Sequence, residues 1–448
     1  MSETRRVKRS GWWLAVLAAG AVAAGVFFYF KGRGGEGEAP AGAASGPVAA
    51  DASEVHANAL VLDSHVDVLL PETPARYYAP GGGSRASLEQ LAEGGVDAVV
   101  LAIAVGPGPE TPEGIVAAKK QAEDKVAAVR AFIDGSQGRV EQAFGADDIQ
   151  RIREQGKVAV LLSLQNARIL GEDLASFDDY YGAGVRVAAL NHAGHNAFSD
   201  SSRPSGGDGV ERHHGLSALG KQSVQRFNDL GVLIDVSQLS SAALKQTLEL
   251  TRAPVVATHS NARALVDNTR NLGDEELDAI KAKGGVVQLT PFGAYLLEPS
   301  EEELAQVRVL RAEYGLAEAF TSPSEGYDAL PEAQRLAFYD ALVALRKRAT
   351  LSDFVDHIDY VAKRIGTEHV GIGTDFDHGA GVEGFNGERD APNVTAELLR
   401  RGYTGEQVAA IWGGNFLRVL READAAGNSE AKAAVLAADS RTVAGTAR

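Results

Sequence analysis

Side chains that could bind a metal ion or transfer protons recur directly after short β-branched segments of the chain. His65 and Asp67 follow the first segment, His192 the fourth, His259 the sixth and Asp375 the eighth. Imidazole and carboxylate groups are the ligands of hydrolytic metal ions and the usual general acids and bases. A single histidine at a strand end would more often be structural. The recurrence of such residues at four strand ends predicts a shared metal or acid/base site.

The first and last of these positions can serve the same ion. His65 and Asp67 are two residues apart, so on a strand their side chains point to the same face. In a closed barrel the last strand lies beside the first, which brings Asp375 towards the same ion or its bound water. Asp377 and His378 are interpreted as loop residues that orient Asp375 or face solvent.

The segments that position these residues alternate with longer helical patterns, as is typical of a parallel sheet covered by helices. The predicted strands are Leu60 to Ser64, Ala98 to Ala104, Val158 to Leu164, Val185 to Leu190, Val232 to Val236, Pro254 to Thr258, Gly285 to Leu289 and Val370 to Thr374. Eight strand–helix units predict an α/β fold, a (β/α)₈ TIM-type barrel with its active site at the carboxyl ends of the strands.

The longest interval between predicted strands runs from about Tyr295 to Arg364. It contains helical patterns over Glu302 to Tyr314 and Glu332 to Lys347. We expect a helical insertion over or beside the mouth of the barrel.

The N-terminus predicts a membrane segment. Residues 1–10 contain four positive side chains and precede an uncharged run of 20 residues, Gly11 to Phe30. As a helix this run spans about 30 Å, the thickness of a bilayer core. It ends in aromatic residues, which favours an uncleaved single-pass anchor over a leader cleaved near Ala49 and Ala50. The two positive residues after the run are fewer than the four before it, which predicts a periplasmic or extracellular catalytic part.

The rest of the chain divides by composition. Residues 31–54 are rich in Gly, Ala, Glu and Pro, which predicts a flexible linker. Residues 55–424 contain the predicted barrel, and residues 425–448 form an Ala-rich tail that we expect to be a frayed helix or disordered.

Composition also limits the chemistry. The formal charge of −16 argues against nucleic acid as a partner, because a nucleic-acid groove needs clustered Lys and Arg. The chain has no cysteine, which excludes disulfides, thiolate metal sites and a cysteine nucleophile. Any metal must therefore be bound by His, Asp, Glu or weaker oxygen donors. Whether the chain forms a homodimer is left open by the sequence.

Several longer motifs resemble one family. They are DSHVD at Asp63 to Asp67, GVRVAALNH at Gly184 to His192, GLSALGKQSVQRFNDLGVLIDVSQLS at Gly215 to Ser240, RAPVVATHSNARALVDNTRNL at Arg252 to Leu272, GIGTDFDHG at Gly371 to Gly379 and ELLRRGYTGEQVAAIWGGNFLRVL at Glu397 to Leu420. From about Ala57 to Arg421 the chain resembles the membrane (renal-type) dipeptidases, the M19 peptidases of the amidohydrolase superfamily.

The resemblance implies a two-zinc site with specific ligands. In the family the His and Asp of the first motif bind one ion, histidines after strands 5 and 6 bind the other, and a glutamate after strand 3 bridges both. His65, Asp67 and His259 match this pattern, whereas Gln165 stands at the bridging glutamate position and Gln238 at the strand 5 histidine position.

The resemblance also implies roles around the metal site. His192 would contact the substrate carbonyl or the tetrahedral intermediate. Arg270 would bind the terminal carboxylate of a small peptide, and Asp375 would transfer protons. A surface position is the alternative for Arg270, although a guanidinium suits a carboxylate well. His195, His213 and His214 are interpreted as loop residues that border the pocket.

The two glutamines change the expected metal content. A neutral amide in place of the bridging carboxylate leaves two dications unshielded from each other, and His259 becomes the only strong ligand of the second ion. We therefore expect one Zn²⁺ or none, at His65 and Asp67 with Asp375. Three ligands and an open water position suffice for catalysis. In that case His259 would be free to act as a base or to bind the oxyanion.

Three functions follow from these residues. The first is a metal-dependent dipeptidase acting outside the cytoplasm on small peptides with a free carboxylate. The second is a catalytically silent barrel that binds a peptide or cell-wall fragment. The third is a one-metal hydrolase of another bond, such as a lactone or an N-acyl amide.

Overall fold

Nine parallel strands form one sheet in the computed structural model, which describes residues 51–204, 209, 211–320, 323, 326–327 and 330–445. The strands are β1 (Leu62–Asp67), β2 (Ala98–Ala104), β3 (Val140–Gln142), β4 (Val158–Gln165), β5 (Val185–Ala189), β6 (Leu233–Asp235), β7 (Val256–Ala257), β8 (Val286–Leu289) and β9 (Val370–Ile372). All eight predicted strands are present. The additional strand β3 pairs with the first three residues of β4, off the main path, and its three residues are too few to produce a pattern.

The main path of the sheet runs β1-β2-β4-β5-β6-β7-β8-β9, and its two ends approach each other. The Asp375 N–H donates to the His65 carbonyl at 2.8 Å, and the Asp67 N–H donates to the Phe376 carbonyl at 3.0 Å. These bonds continue β9 alongside β1. The predicted (β/α)₈ architecture is therefore confirmed as a near-closed parallel barrel.

Two glycines, one in β9 and one directly after it, allow the interior of the barrel to fill. A Cβ on Gly373 would lie 1.8 Å from the Thr258 carbonyl oxygen, and a Cβ on Gly371 would lie 1.5 Å from Gln288 Oε1. Any side chain at either position would therefore displace its neighbours.

Helices cover the outside of the sheet. They are α1 (Ala52–Asn58), α2 (Leu88–Gly94), α3 (Pro112–Gly135), α4 (Ala146–Glu154), α5 (Phe177–Gly182), α6 (Ala218–Leu230), α7 (Ser241–Leu250), α8 (Asp274–Ala282), α9 (Gly293–Leu296), α10 (Glu301–Glu313), α11 (Glu332–Leu345), α12 (Leu351–Ile365), α13 (Ala391–Arg400), α14 (Gly405–Ala409), α15 (Asn415–Ala426) and α16 (Ser429–Gly445). In α12, Phe354, Ile358, Val361 and Ile365 are fully buried at helical spacing. This face packs against the core.

The predicted helical insertion is present as α9, α10 and α11. It has a small core of its own, formed by Val307 and Leu310 of α10 with Phe338 and Leu342 of α11. The pairing of two amphipathic helices explains why this segment is helical without adding to the sheet.

The two ends of the described chain are helical. Helix α1 begins at Ala52, within the stretch interpreted as a linker, and Asp51 caps it by accepting from the Ser53 N–H. Helix α16 occupies the tail, where Val435 is buried in the main core. The predicted membrane segment, residues 11–30, lies outside the described residues. Within the described residues no helix has the length and apolar character needed to span a bilayer.

A buried pair of carboxyl groups stabilises the junction between β1 and β9. Asp63 accepts from the Thr374 N–H at 2.8 Å and from the His65 N–H at 3.0 Å. Glu388 is also fully buried beside Asp63, and neither of its carboxyl oxygens has a hydrogen-bond partner among the described residues. Two carboxyl groups buried side by side cannot both be ionised without a large cost, so one of them retains its proton. Burial, followed by the charge of Asp63, raises the pKa of Glu388 well above 4.5, so Glu388 carries this proton.

This proton makes stability depend on pH. The folded chain retains at Glu388 a proton that the unfolded chain releases above about pH 4.5. The stabilisation is therefore complete below that pH and declines as pH rises towards the raised folded pKa, by about 1.4 kcal/mol per unit. Glu388→Gln replaces the buried carboxyl group by a neutral amide of the same size, which has no proton to lose as the pH rises. We expect this variant to gain at least about 1 kcal/mol relative to wild type between pH 5.5 and 8.

Denaturant unfolding at both pH values measures this difference. The matched control is Glu383→Gln, because Glu383 is exposed. An equal stability difference between Glu388→Gln and wild type at both pH values would show that Glu388 is ionised in the folded protein.

Candidate metal and catalytic site

The sequence-predicted histidines and the last-strand aspartate meet at the carboxyl ends of the strands. The rings of His65 and His259 stack with centroids 4.0 Å apart and an angle of 30° between their planes. Asp375 Oδ1 lies 3.9 Å from His65 Nε2. One potential ligand atom from each of these three residues lies within 4.8 Å of the others, and all three side chains are buried. The barrel therefore brings together residues that are more than 300 positions apart.

One hydroxyl group orients both imidazoles. Thr258 Oγ1 lies 2.8 Å from His259 Nδ1 and 3.3 Å from His65 Nδ1, and it donates to Asp235 Oδ2 at 2.6 Å. Because its own proton goes to Asp235, the hydroxyl can only accept from the two histidines. Both rings therefore carry their proton on Nδ1 and direct an Nε2 lone pair towards the site. Burial lowers the pKa of His65 to about 4, which keeps its imidazole neutral.

The two glutamines surround the Nε2 atom of His259. Gln165 Nε2 lies 3.3 Å from it and Gln238 Nε2 lies 3.2 Å from it. Gln238 Oε1 accepts from the Ala193 N–H at 2.7 Å, so its amide nitrogen must face His259. Amide nitrogens only donate. In this arrangement the His259 Nε2 lone pair accepts hydrogen bonds from both amide groups.

Asp67 is paired with a residue that sequence reasoning placed elsewhere. His378 Nδ1 donates to Asp67 Oδ2, and Tyr77 stacks on the His378 ring at 5.2 Å. Burial alone would lower the pKa of His378, but the charge of Asp67 and their hydrogen bond raise it to about 10. Burial opposes ionisation of Asp67 as well, but Lys125 and His378 hold its pKa below the usual value. His378 therefore orients Asp67, not Asp375, and its side chain is only 30% exposed.

The segment after β9 has an unusual backbone. Asp375 and Asp377 have φ values of 57° and 64°, a left-handed conformation that costs energy for residues other than glycine. Burial raises the pKa of Asp375 to about 7, so it can take up and release a proton near neutral pH. Asp377 accepts from the Arg85 N–H and the Ser84 hydroxyl, so it is buried within the loop structure and does not face solvent.

His192 and Arg270 are both held by backbone carbonyl groups. His192 Nδ1 lies 3.2 Å from the Val105 oxygen and donates to it, which leaves Nε2 as an acceptor. Burial lowers the pKa of His192 to about 3, so the ring is neutral. Arg270 is only 3% exposed and donates to the carbonyls of Ser237 at 2.6 Å and His259 at 3.1 Å. It is therefore not a surface arginine, and its remaining N–H groups can serve a carboxylate.

The other histidines of the loop after β5 have structural partners. Asp200 accepts from the backbone N–H groups of Arg212, His213 and Gly215, and His195 accepts from the Ser201 N–H. His214 is exposed beside Glu211. Their interpretation as loop residues agrees with these contacts.

The residues present fit a metal ion. His65 Nε2 and Asp67 Oδ1 are buried atoms without a hydrogen-bond partner, and such atoms are rare unless a ligand satisfies them. Both belong to the first metal-ligand motif, and Asp375 lies beside His65. The three residues whose ligand atoms lie within 4.8 Å of one another include His259 and not Asp67. The amide groups at His259 Nε2 and the unpartnered Asp67 Oδ1 are the reason to consider Asp67 as a ligand in its place.

Thr258, Asp235 and the pairing role of His378 were not found from the sequence. A buried aspartate at the end of a strand was the only available signal for Asp235, which lies three residues before Gln238. Nothing in the spacing indicates that the hydroxyl of Thr258 contacts two histidines.

Comparison with solved structures places this barrel among dipeptidases. The probable dipeptidase PvdM from Pseudomonas aeruginosa is 36% identical, with a TM-score of 0.77 over 84% of this chain and 98% of that one. A metallopeptidase from Rhodobacter sphaeroides, liganded with a phosphinate mimic of L-Ala-D-Ala, shares the fold at 22% identity, with a TM-score of 0.63 over 81% of this chain and 99% of that one.

Curated relatives agree with this assignment. Dipeptidase tcpJ of Claviceps purpurea is 31% identical over 64% of this chain, and dipeptidase aclJ of Aspergillus oryzae is 30% identical over 60% of it. The chain spans only 56% and 52% of the length of these two relatives. The family of membrane dipeptidases, peptidase family M19, matches residues 49–434, most of the sequence. The chain belongs to the membrane dipeptidase family.

Proposed function

We propose that this protein is a dipeptidase that uses one metal ion and acts outside the cytoplasm on small peptides with a free carboxylate. One observation carries the proposal. The ligand atoms of the first metal position, His65 Nε2 and Asp67 Oδ1, are buried without partners, whereas His259 at the second position accepts from two amides. The family membership supports the peptide bond as the target.

The residues expected to hold the ion are His65, Asp67 and Asp375. Two carboxylates and an imidazole with an open position are a typical zinc set, so we propose zinc. When bound there, the ion would lower the pKa of a water molecule and polarise the scissile carbonyl.

The side chains of this site bind the peptide and move its protons. Arg270 binds the terminal carboxylate through the N–H groups that its two carbonyl partners leave free. His192 Nε2 is an acceptor and can hold the amino group of the substrate. Asp375 accepts the proton of the attacking water and returns it to the leaving nitrogen as the C–N bond breaks.

Metal content tests the one-ion site directly. Protein purified with zinc should contain about one ion per chain, because one complete ligand set is present. The double variant Gln165→Glu, Gln238→His restores the bridging carboxylate and the missing imidazole, so its content should rise to about two. Elemental analysis of desalted protein measures both values. The two single variants are the matched controls and should remain near one; a wild-type protein with less than about a tenth of an ion contradicts the proposal.

Asp375→Asn tests the proton-transfer role. We expect dipeptide turnover to fall at least about 100-fold, because an amide cannot accept the proton of water. Zinc content, measured alongside, should be retained through His65 and Asp67. Asp377→Asn is the matched control, because that carboxylate contacts Ser84 and Arg85 instead of the site. Equal turnover in the two variants would show that Asp375 transfers no proton.

The location of the protein is a separate proposal that depends on residues 1–30. The apolar run Gly11 to Phe30 and the positive residues before it motivate a single-pass anchor with the barrel outside the cytoplasm. The full chain should sediment with membranes, a chain lacking residues 1–30 should not, and protease added outside intact spheroplasts should degrade the barrel. An intact N-terminus in the mature protein distinguishes the anchor from a cleaved leader. Full-length protein that is protected from the protease would contradict export.

A further inference from the structure

The amide group of Gln238 has a fixed orientation. Its Oε1 accepts from the Ala193 N–H at 2.7 Å, so the Nε2 side must face His259, 3.2 Å away. A flipped amide would place two N–H donors against each other at Ala193 and lose that bond. The amide donor of Gln238, which stands at the strand 5 histidine position, therefore points at His259 Nε2.

The protonation of His259 matches this orientation. Its Nδ1 donates to Thr258 Oγ1 at 2.8 Å, and Thr258 donates onward to Asp235 at 2.6 Å. His259 Nε2 consequently carries a lone pair, which accepts from Gln238 and, at 3.3 Å, from Gln165 Nε2. The proton on His259 Nδ1, the lone pair on its Nε2 and the two amide donors are therefore consistent with one another.

Each glutamine retains an unused donor. A primary amide nitrogen carries two N–H groups, and His259 accepts one from each glutamine. Among the described residues neither Gln165 Nε2 nor Gln238 Nε2 has a second acceptor. Both side chains are buried, at 2% and 5% exposure, so these N–H groups are also shielded from bulk water. A buried donor without a partner is costly unless a ligand supplies the acceptor.

The reaction proposed above needs such donors. When water adds to the peptide carbonyl, the π electrons move to the oxygen, which becomes negatively charged. His192 offers an acceptor at Nε2, because its only N–H donates to Val105. It therefore provides no hydrogen bond to that oxygen. In a two-metal enzyme a second cation could supply the missing positive charge, and here two amides occupy its place.

We propose that the Nε2 amide groups of Gln165 and Gln238 donate hydrogen bonds to the substrate oxygen that becomes negative, and so replace the second metal ion with an oxyanion hole. The proposal rests on the dipeptidase function and extends it. The N–H groups are oriented before the reaction by His259 and Ala193, so no reorganisation is needed as the charge develops. The charge on the oxygen returns to the carbon–oxygen double bond when the C–N bond breaks and the amine leaves with a proton.

Replacing either glutamine by methionine removes the donors and retains the size of the side chain. Loss of one oxyanion donor typically lowers kcat about 100- to 1,000-fold. We expect Gln165→Met and Gln238→Met each to lower kcat by about this factor, with a KM change of less than about threefold. A phosphinate analogue of a dipeptide, which mimics the tetrahedral state, should bind each variant at least about 10-fold more weakly by calorimetry.

Gln288→Met is the matched control, because Gln288 is a fully buried glutamine of β8 that donates to the Ile372 carbonyl away from His259. It should leave phosphinate affinity and kcat near wild type. Thermal unfolding and zinc content are measured for every variant. Unchanged phosphinate affinity in both glutamine variants would overturn the proposal. Loss of zinc from these variants would also overturn it, because it would show that the amide groups bind the metal ion. If the wild type hydrolyses no dipeptide, the dipeptidase function fails, while the phosphinate affinities still decide whether the amides bind the tetrahedral state.

Discussion

The chemistry of this site depends on the hydrogen bond from the Thr258 hydroxyl to Asp235. Asp235 is buried and also accepts from the Ser237 N–H at 2.9 Å and the Thr258 N–H at 3.0 Å. As the acceptor of the Thr258 hydroxyl, Asp235 fixes the direction of the Thr258 proton. That direction sets the protonation of both His65 and His259. One buried carboxylate thus determines which atoms of the site can bind metal.

The Thr258 hydroxyl gives both histidines a lone pair at Nε2, but the two lone pairs have different surroundings. His65 Nε2 has no partner and lies beside Asp375, so it remains available to a cation. His259 Nε2 accepts from two neutral amides, which hold its lone pair away from any ion. The pairing of Asp67 with protonated His378 balances the negative charge that remains. At the second metal position the two glutamine side chains therefore form hydrogen bonds of their own, in place of contacts to a metal ion.

Much of the fold was predictable from the sequence. Eight β-branched segments alternate with helices, and their carboxyl ends carry the polar residues of the site. Strand β3 escaped detection because three residues define no period. For the Ala-rich tail the sequence left a frayed helix and disorder as alternatives because it has little amphipathic pattern, and the structure has the helix α16 there. Strand-end position and family motifs were enough to propose His65, Asp67, His192, His259 and Asp375 as site residues.

The remainder of the site depends on contacts between distant segments. His378 was interpreted as a residue that orients Asp375, but it pairs with Asp67, 311 positions away. Arg270 is held by the carbonyls of Ser237 and His259, which no local pattern reveals. The orientation of the Gln238 amide follows from the Ala193 N–H across the barrel mouth. Such hydrogen bonds are determined by the closed barrel and not by the neighbouring residues in the chain.

The central claim is that one metal position is retained and that amide donors occupy the other. A crystal of the zinc-supplemented protein, measured on both sides of the zinc absorption edge, locates every bound zinc ion. The account predicts one anomalous peak per chain, in contact with His65 Nε2 and Asp67 Oδ1, with both glutamine amides still directed at His259. A second peak in contact with His259 Nε2 would contradict it.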